Sequence, residues 1–167
     1  MIRVIWYASL MSQDSAKRTC DIFNFNYWYI KWYSRIFNKL WFNPYTKTHN
    51  KNTAMLNLVE DDKKMLLISY FDISEEDYFK MKERELGYDE FEIDIFNLEK
   101  KKISKWIVFI SKQQVEYKGE NISLIRDDLL PEKRYLDICI DALQKTPYLE
   151  EFLDSTYMWC GKRKLEL

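Results

Sequence analysis

The sequence predicts an α+β fold: a small mixed or antiparallel β-sheet, closing toward a barrel, with helices packed against its outside. Three observations predict it. The element order is strand, helix, several strands, helix, hairpin and terminal helices, not a repeated strand–helix alternation. Residues 88–110 read as an amphipathic strand, a polar turn and a partner strand. No internal repeat, low-complexity run or linker divides the 167 residues, and with 47% hydrophobic and 17% aromatic residues they supply one well-buried core.

The elements follow in order. Ile2–Ala8 is β-branched and aromatic, the pattern of a buried strand. Ser12 or Asp14 then caps a short helix over Ser15–Phe23. Residues 23–45 are dominated by aromatics and contain strand, broken at Asn43-Pro44. Thr53–Val59 and Met65–Phe71 are apolar runs separated by a charged stretch, Glu60 to Lys64, and are expected to pair antiparallel with each other. Ser74 is an N-cap, followed by Glu75, Glu76 and Asp77 in the first turn, where negative charge suits the helix dipole. Tyr78, Met81 and Leu86 form that helix's inward side, and Gly87 stops it.

In residues 88–96, Phe91, Ile93 and Ile95 share one face while Glu90, Glu92 and Asp94 share the other, a strand with one wet side. Ile103–Ile110 is its partner. Pro131 suits the first turn of a helix reaching about Lys145, with Leu136, Cys139, Ile140 and Leu143 at helical spacing. Pro147 restarts a shorter helix through Tyr157. Residues 1–157 are thus one domain and 158–167 a charged tail.

Composition excludes several function classes. The 26 basic and 27 acidic side chains nearly cancel, so no polyanion or nucleic-acid partner is expected. The runs Lys100–Lys102 and Lys162–Lys164 are too short to change that and read as a solvated turn and tail. Lys31, Arg35 and Lys39 interleave with aromatics in 23–45, a pattern able to stack bases, but the neutral balance favours core packing there. Three scattered cysteines (Cys20, Cys139, Cys160) and the single His49 write no zinc pattern, and read as reduced thiols in a cytoplasmic protein. No run of about twenty apolar residues exists to span a membrane, and the opening segment reads as a strand, not a signal peptide.

Three segments carry the chemistry. They are Tyr7-Ala8-Ser9-Leu10 at the exit of the first strand, Glu83-Arg84-Glu85-Leu86-Gly87-Tyr88 between a helix and the next strand, and Pro131 to Leu136 at the start of a late helix. In this order they resemble the γ-glutamylcyclotransferase-like family, whose first loop reads Tyr-Gly-Ser-Leu or Tyr-Gly-Ser-Asn. Residues 24–52 match the family poorly. The resemblance implies the family's barrel-like fold and a cofactor-free, metal-free reaction on a small γ-glutamyl substrate, releasing 5-oxoproline. It implies Glu85 as the catalytic acid/base, with Glu83 the competing choice. It also implies that Tyr7, Ala8, Ser9, Leu10 and Met11 form the substrate loop, with Tyr88 and Tyr135 near the substrate.

Ala8 stands where the family has glycine, and a positive φ there would cost alanine about 1–2 kcal/mol. The alternative to an enzyme is a fold relative without catalysis that binds a ligand or a protein. Ser9 is a poor nucleophile candidate, since only His49 could serve it as base. Cys139, on the apolar side of its helix, reads as packing.

Overall fold

The opening run of branched and aromatic residues is committed to extended chain, and Ile2–Trp6 forms strand β1. The structure, a computed structural model, describes residues 1–43, 48–117, 119–158 and 163–164. β1 leads into a single 3₁₀ turn, Ser9–Met11, and a short helix α1, Gln13–Lys17. Ser12 is the cap of α1, its Oγ accepting from the Ser15 N–H at 3.3 Å. The helix stops well before the expected Phe23, because Phe23 already belongs to the next strand.

That strand, β2 (Phe23–Asn43), pairs with β3 (Thr48–Ile73) in a long antiparallel hairpin. Here the expectation for 53–71 is corrected. Thr53–Val59 and Met65–Phe71 are two parts of one strand, and both pair with β2. Between them the register jumps from Tyr33↔Glu60 to Lys31↔Met65, so the charged residues 61–64 bulge opposite Trp32. Charged side chains need water, and a bulge supplies it without a reversal of the chain. Trp32 takes up a left-handed conformation at that irregularity (φ 68°) and is 52% exposed. Most other aromatics of this stretch are buried or half-buried against the core.

Helix α2 (Glu75–Arg84) starts at Ser74, whose Oγ accepts from the Asp77 N–H at 3.0 Å. Tyr78 and Met81 are buried as expected, whereas Leu86 is 55% exposed, because the helix has already ended and its periodicity no longer holds. β4 (Tyr88–Phe96) and β5 (Lys102–Ser111) then form the expected antiparallel pair. On β4, Ile93 and Ile95 are buried but Phe91 is exposed, toward the end of the strand that leaves the core.

The strands close on themselves in the cycle β2–β4–β5–β1–β3–β2, parallel at β1/β5 and otherwise antiparallel. Closure removes the open sheet edges within that cycle. Its core includes Val4, Ile5, Phe37, Leu56, Leu66 and Phe71.

The remaining elements cover the ends and sides of the barrel. β6 (Gln114–Tyr117) and β7 (Glu120–Ser123) form a separate hairpin, and β8 (Leu130–Pro131) adds to β3. Pro131 is therefore the end of a strand, not helix. Glu132 takes the cap of α3 (Lys133–Leu143), its carboxylate accepting from the Arg134 and Tyr135 N–H groups. Cys139 and Leu143 of α3 are buried, with Leu136 packed against the core. Helix α4 covers only Leu149–Asp154. The expected continuation to Tyr157 is replaced by β9 (Thr156–Met158), which runs parallel to β2, and β10 (Arg163–Lys164) pairs with β9. Pro44, Cys160 and Lys162, and the side chain of His49, lie outside the described residues.

Candidate active site

Where β1 leaves the barrel, its chain must turn away from the sheet, and Tyr7 to Met11 make that turn. The Met11 N–H donates to the Ala8 carbonyl at 2.8 Å, closing the 3₁₀ turn. Arg35, from β2, fixes it from below: its Nε donates to the Tyr7 carbonyl at 2.7 Å. The same guanidinium bonds the Ser155 hydroxyl at 2.8 Å and the Leu67 carbonyl, and lies 4.6 Å over the Phe152 ring. Arg35 has no exposed surface, and its desolvation brings its pKa down to about 9. Ala8 has φ −137°, so the loop does not demand the left-handed conformation that would make alanine costly.

The turn borders a cavity of about 40 Å³. Tyr7, Ala8 and Ser9 line one side of it, Arg84, Glu85 and Tyr88 another, and Tyr135 of α3 completes the polar lining. Trp6, Met55 and Phe109 contribute apolar wall. The space is narrow and partly open to solvent, so a small molecule could enter it by one end.

Glu85 arrives here because α2 ends one residue earlier. As the C-cap, with its N–H donating to the Met81 carbonyl, it turns its side chain back over the barrel end. The next turn closes with the Tyr88 N–H donating to the Glu85 carbonyl at 2.9 Å. Gly87, expected to stop α2, follows the Glu85 C-cap and its φ is not left-handed. What it offers is an absent side chain, since a Cβ there would sit 3.4 Å from both Leu124 Cδ1 and Lys39 Nζ.

Glu85 is only 8% exposed. Desolvation raises its pKa above the usual range, opposed by the positive charges of Arg84 and Lys39. Arg84 Nε stands 3.4 Å from Glu85 Oε1, while its Nη1 donates to Thr19 Oγ1 at 3.0 Å. Glu83, by contrast, is exposed. Tyr7 donates its hydroxyl to the Phe109 carbonyl at 2.9 Å. Burial pushes the phenols of Tyr7, Tyr88 and Tyr135 well above their ordinary range, so all three are neutral hydrogen-bonding groups at ordinary pH.

No protein-family model and no curated protein matches this sequence. Solved structures do match its shape. A γ-glutamyl cyclotransferase superposes with a TM-score of 0.64 at 12% identity, covering 90% of this chain and 85% of the other. A yeast γ-glutamyl cyclotransferase specific to glutathione gives 0.63 at 14% identity, with 92% and 94% covered. An uncharacterized protein from Homo sapiens gives 0.62 at 13% identity, with 90% and 85% covered. The chain has the γ-glutamyl cyclotransferase fold.

Within this fold, Tyr7, Ala8, Ser9, Glu85, Tyr88 and Tyr135 share one cavity. Leu10 and Met11 do not line it; both pack into the core behind the turn. Sequence reasoning overlooked the cations around it. Arg84 sat inside a motif read only for Glu85, and Arg35 and Lys39 drew notice only as partners of aromatics. A partial signal was available for Arg35 and Lys39, which share one face of β2 with Phe37 at alternate positions. Both are in fact sealed inside, and Lys31, the third of that set, lies 4.2 Å over the Phe96 ring.

Proposed function

We propose that this chain catalyses γ-glutamyl cyclotransfer. The observation that carries the reading is a nearly buried carboxylate, Glu85, facing the same cavity as the turn that follows β1, in a fold shared with γ-glutamyl cyclotransferases.

The reaction is internal to the substrate. The α-nitrogen of a γ-glutamyl compound attacks its own γ-carbonyl carbon, a C–N bond closes the five-membered lactam, and the bond to the leaving nitrogen breaks. The products are 5-oxoproline and an amine or amino acid, and no water is consumed. Because nucleophile and electrophile belong to one molecule, most of the barrier is met by folding the substrate into a reactive conformer, for which a narrow cavity is well suited. Glu85 takes a proton from the α-ammonium and returns it to the leaving nitrogen, serving as base and then as acid. In this reading main-chain N–H groups of the turn, apart from that of Met11, which is bonded to the Ala8 carbonyl, meet the charge that develops on the γ-oxygen, and Tyr7, Tyr88 and Tyr135 orient the glutamyl end. The small cavity also favours a second reading, a fold relative without catalysis that holds a ligand end.

The test is 5-oxoproline release from a panel of γ-glutamyl compounds by wild type and by Glu85→Gln. The variant is expected to lose roughly 10²–10⁴-fold in kcat/KM. Equal release by both proteins would remove Glu85 from the chemistry. No release from any compound by folded wild type would leave the second reading.

A further inference from the structure

Lys39 is a cation in an unusual position. It projects from β2 into the end of the barrel, is 2% exposed, and does not line the cavity. Its Nζ lies 4.4 Å from the centre of the Tyr88 ring, a residue that does line the cavity. The same Nζ stands 3.4 Å from where a Cβ on Gly87 would lie, two residues from Glu85 on the same turn. Its hydrogen bond to the Leu40 carbonyl is long, at 3.4 Å. An ammonium withdrawn from water this completely needs compensation. The ring face of Tyr88 supplies part of it, and the opposing charge that acts on it is Glu85.

We propose that Lys39 is a positioning residue of the site, a sealed positive charge that holds Glu85 as the carboxylate the reaction needs. The proposal rests on the cyclotransfer reading. Its logic comes from the set of groups facing Glu85: Arg84 beside it, Tyr7 from the β1 exit, Tyr88 from β4, Tyr135 from α3 and Lys39 from β2. The three phenols are neutral, so two cations remain. Arg84 sits at the mouth with its side chain 37% exposed, where water screens it and an entering substrate competes for it. Lys39 is reached by neither, so its field on Glu85 persists while substrate enters and product leaves. Burial disfavours the charged form of Glu85 that accepts the first proton, and the charge behind Tyr88 acts in the opposite direction.

The test compares Lys39→Met and Lys39→Gln with wild type in two readouts. In kcat/KM against pH, the acid limb is expected to move up by about one pH unit in both variants, a roughly tenfold loss below the limb, with rates converging above it. A purely structural role would lower the whole profile without moving the limb. The second readout is carbon NMR of glutamate-labelled protein, with the Glu85 signal assigned by its loss in Glu85→Gln. In wild type the Glu85 carboxyl carbon is expected to respond a second time as Lys39 deprotonates, near its depressed pKa of about 8. An unmoved limb, or a Glu85 signal blind to the Lys39 titration, overturns the proposal. Because the NMR readout uses wild type, it decides even when neither variant folds. It also decides when wild type releases no 5-oxoproline, an outcome that defeats the cyclotransfer reading separately.

Discussion

A single side chain illustrates how the site works against the fold. Glu85 has a folded-state pKa raised above its unfolded value by burial. Between those two values the folded state holds more protons than the unfolded one, so stability falls as pH rises through the window. Glu85→Gln has no proton to lose. It is therefore expected to be more stable than wild type at pH 7, with the difference vanishing near pH 4. Urea unfolding at both pH values checks this; a variant less stable than wild type at both would mean that the carboxylate is held by contacts stronger than its desolvation. Losing activity while gaining stability is the pattern of a group kept for chemistry. Ala8 gives a second expectation at this scale. Ala8 lines the cavity and its φ is not left-handed, so Ala8→Gly should lower KM by enlarging the space, at a cost of about 1 kcal/mol or less in stability. An unchanged or higher KM would show that the methyl does not limit entry.

At the scale of elements, the position of Glu85 is the C-terminus of α2, and the start of α2 is Ser74. Removing that cap with Ser74→Ala should cost about 1 kcal/mol in unfolding free energy and leave kcat unaltered, as measured by denaturation and steady-state kinetics together. A large fall in kcat would mean that the helix start and the site are coupled. α2 was legible because its signals are local: a capping serine, an acidic first turn and apolar residues at helical spacing. The β4–β5 pair was legible for the same reason, since alternation and a polar turn lie within one short stretch. The β2–β3 hairpin was not. Whether Glu60 to Lys64 reverses the chain or bulges out of it depends on β2, a partner tens of residues away, and no local pattern encodes that choice. Thr156–Met158 is a similar case: it is strand because β2 offers a parallel edge beside it.

At the scale of the molecule, barrel closure is what brings the site together. The β1 exit, the α2–β4 junction and the start of α3 lie far apart in sequence and meet only because the strand cycle closes. The resemblance of three short motifs pointed to that meeting, and the fold accommodates it at 12–14% identity to its structural neighbours. The cations beneath the site escaped notice because burial of Arg35 and Lys39 is a property of the closed barrel, and their alternation with Phe37 does not by itself tell a buried face from a wet one. The proposed reaction makes one chemical statement, that a γ-glutamyl bond is cleaved by the substrate's own nitrogen and not by water. Mass spectrometry of products formed from γ-glutamyl compounds in ¹⁸O-water tests it directly. The account predicts 5-oxoproline and the released amine in equal amounts, with no solvent oxygen in the lactam; labelled glutamate as the product, or no cleavage of any compound, would contradict it.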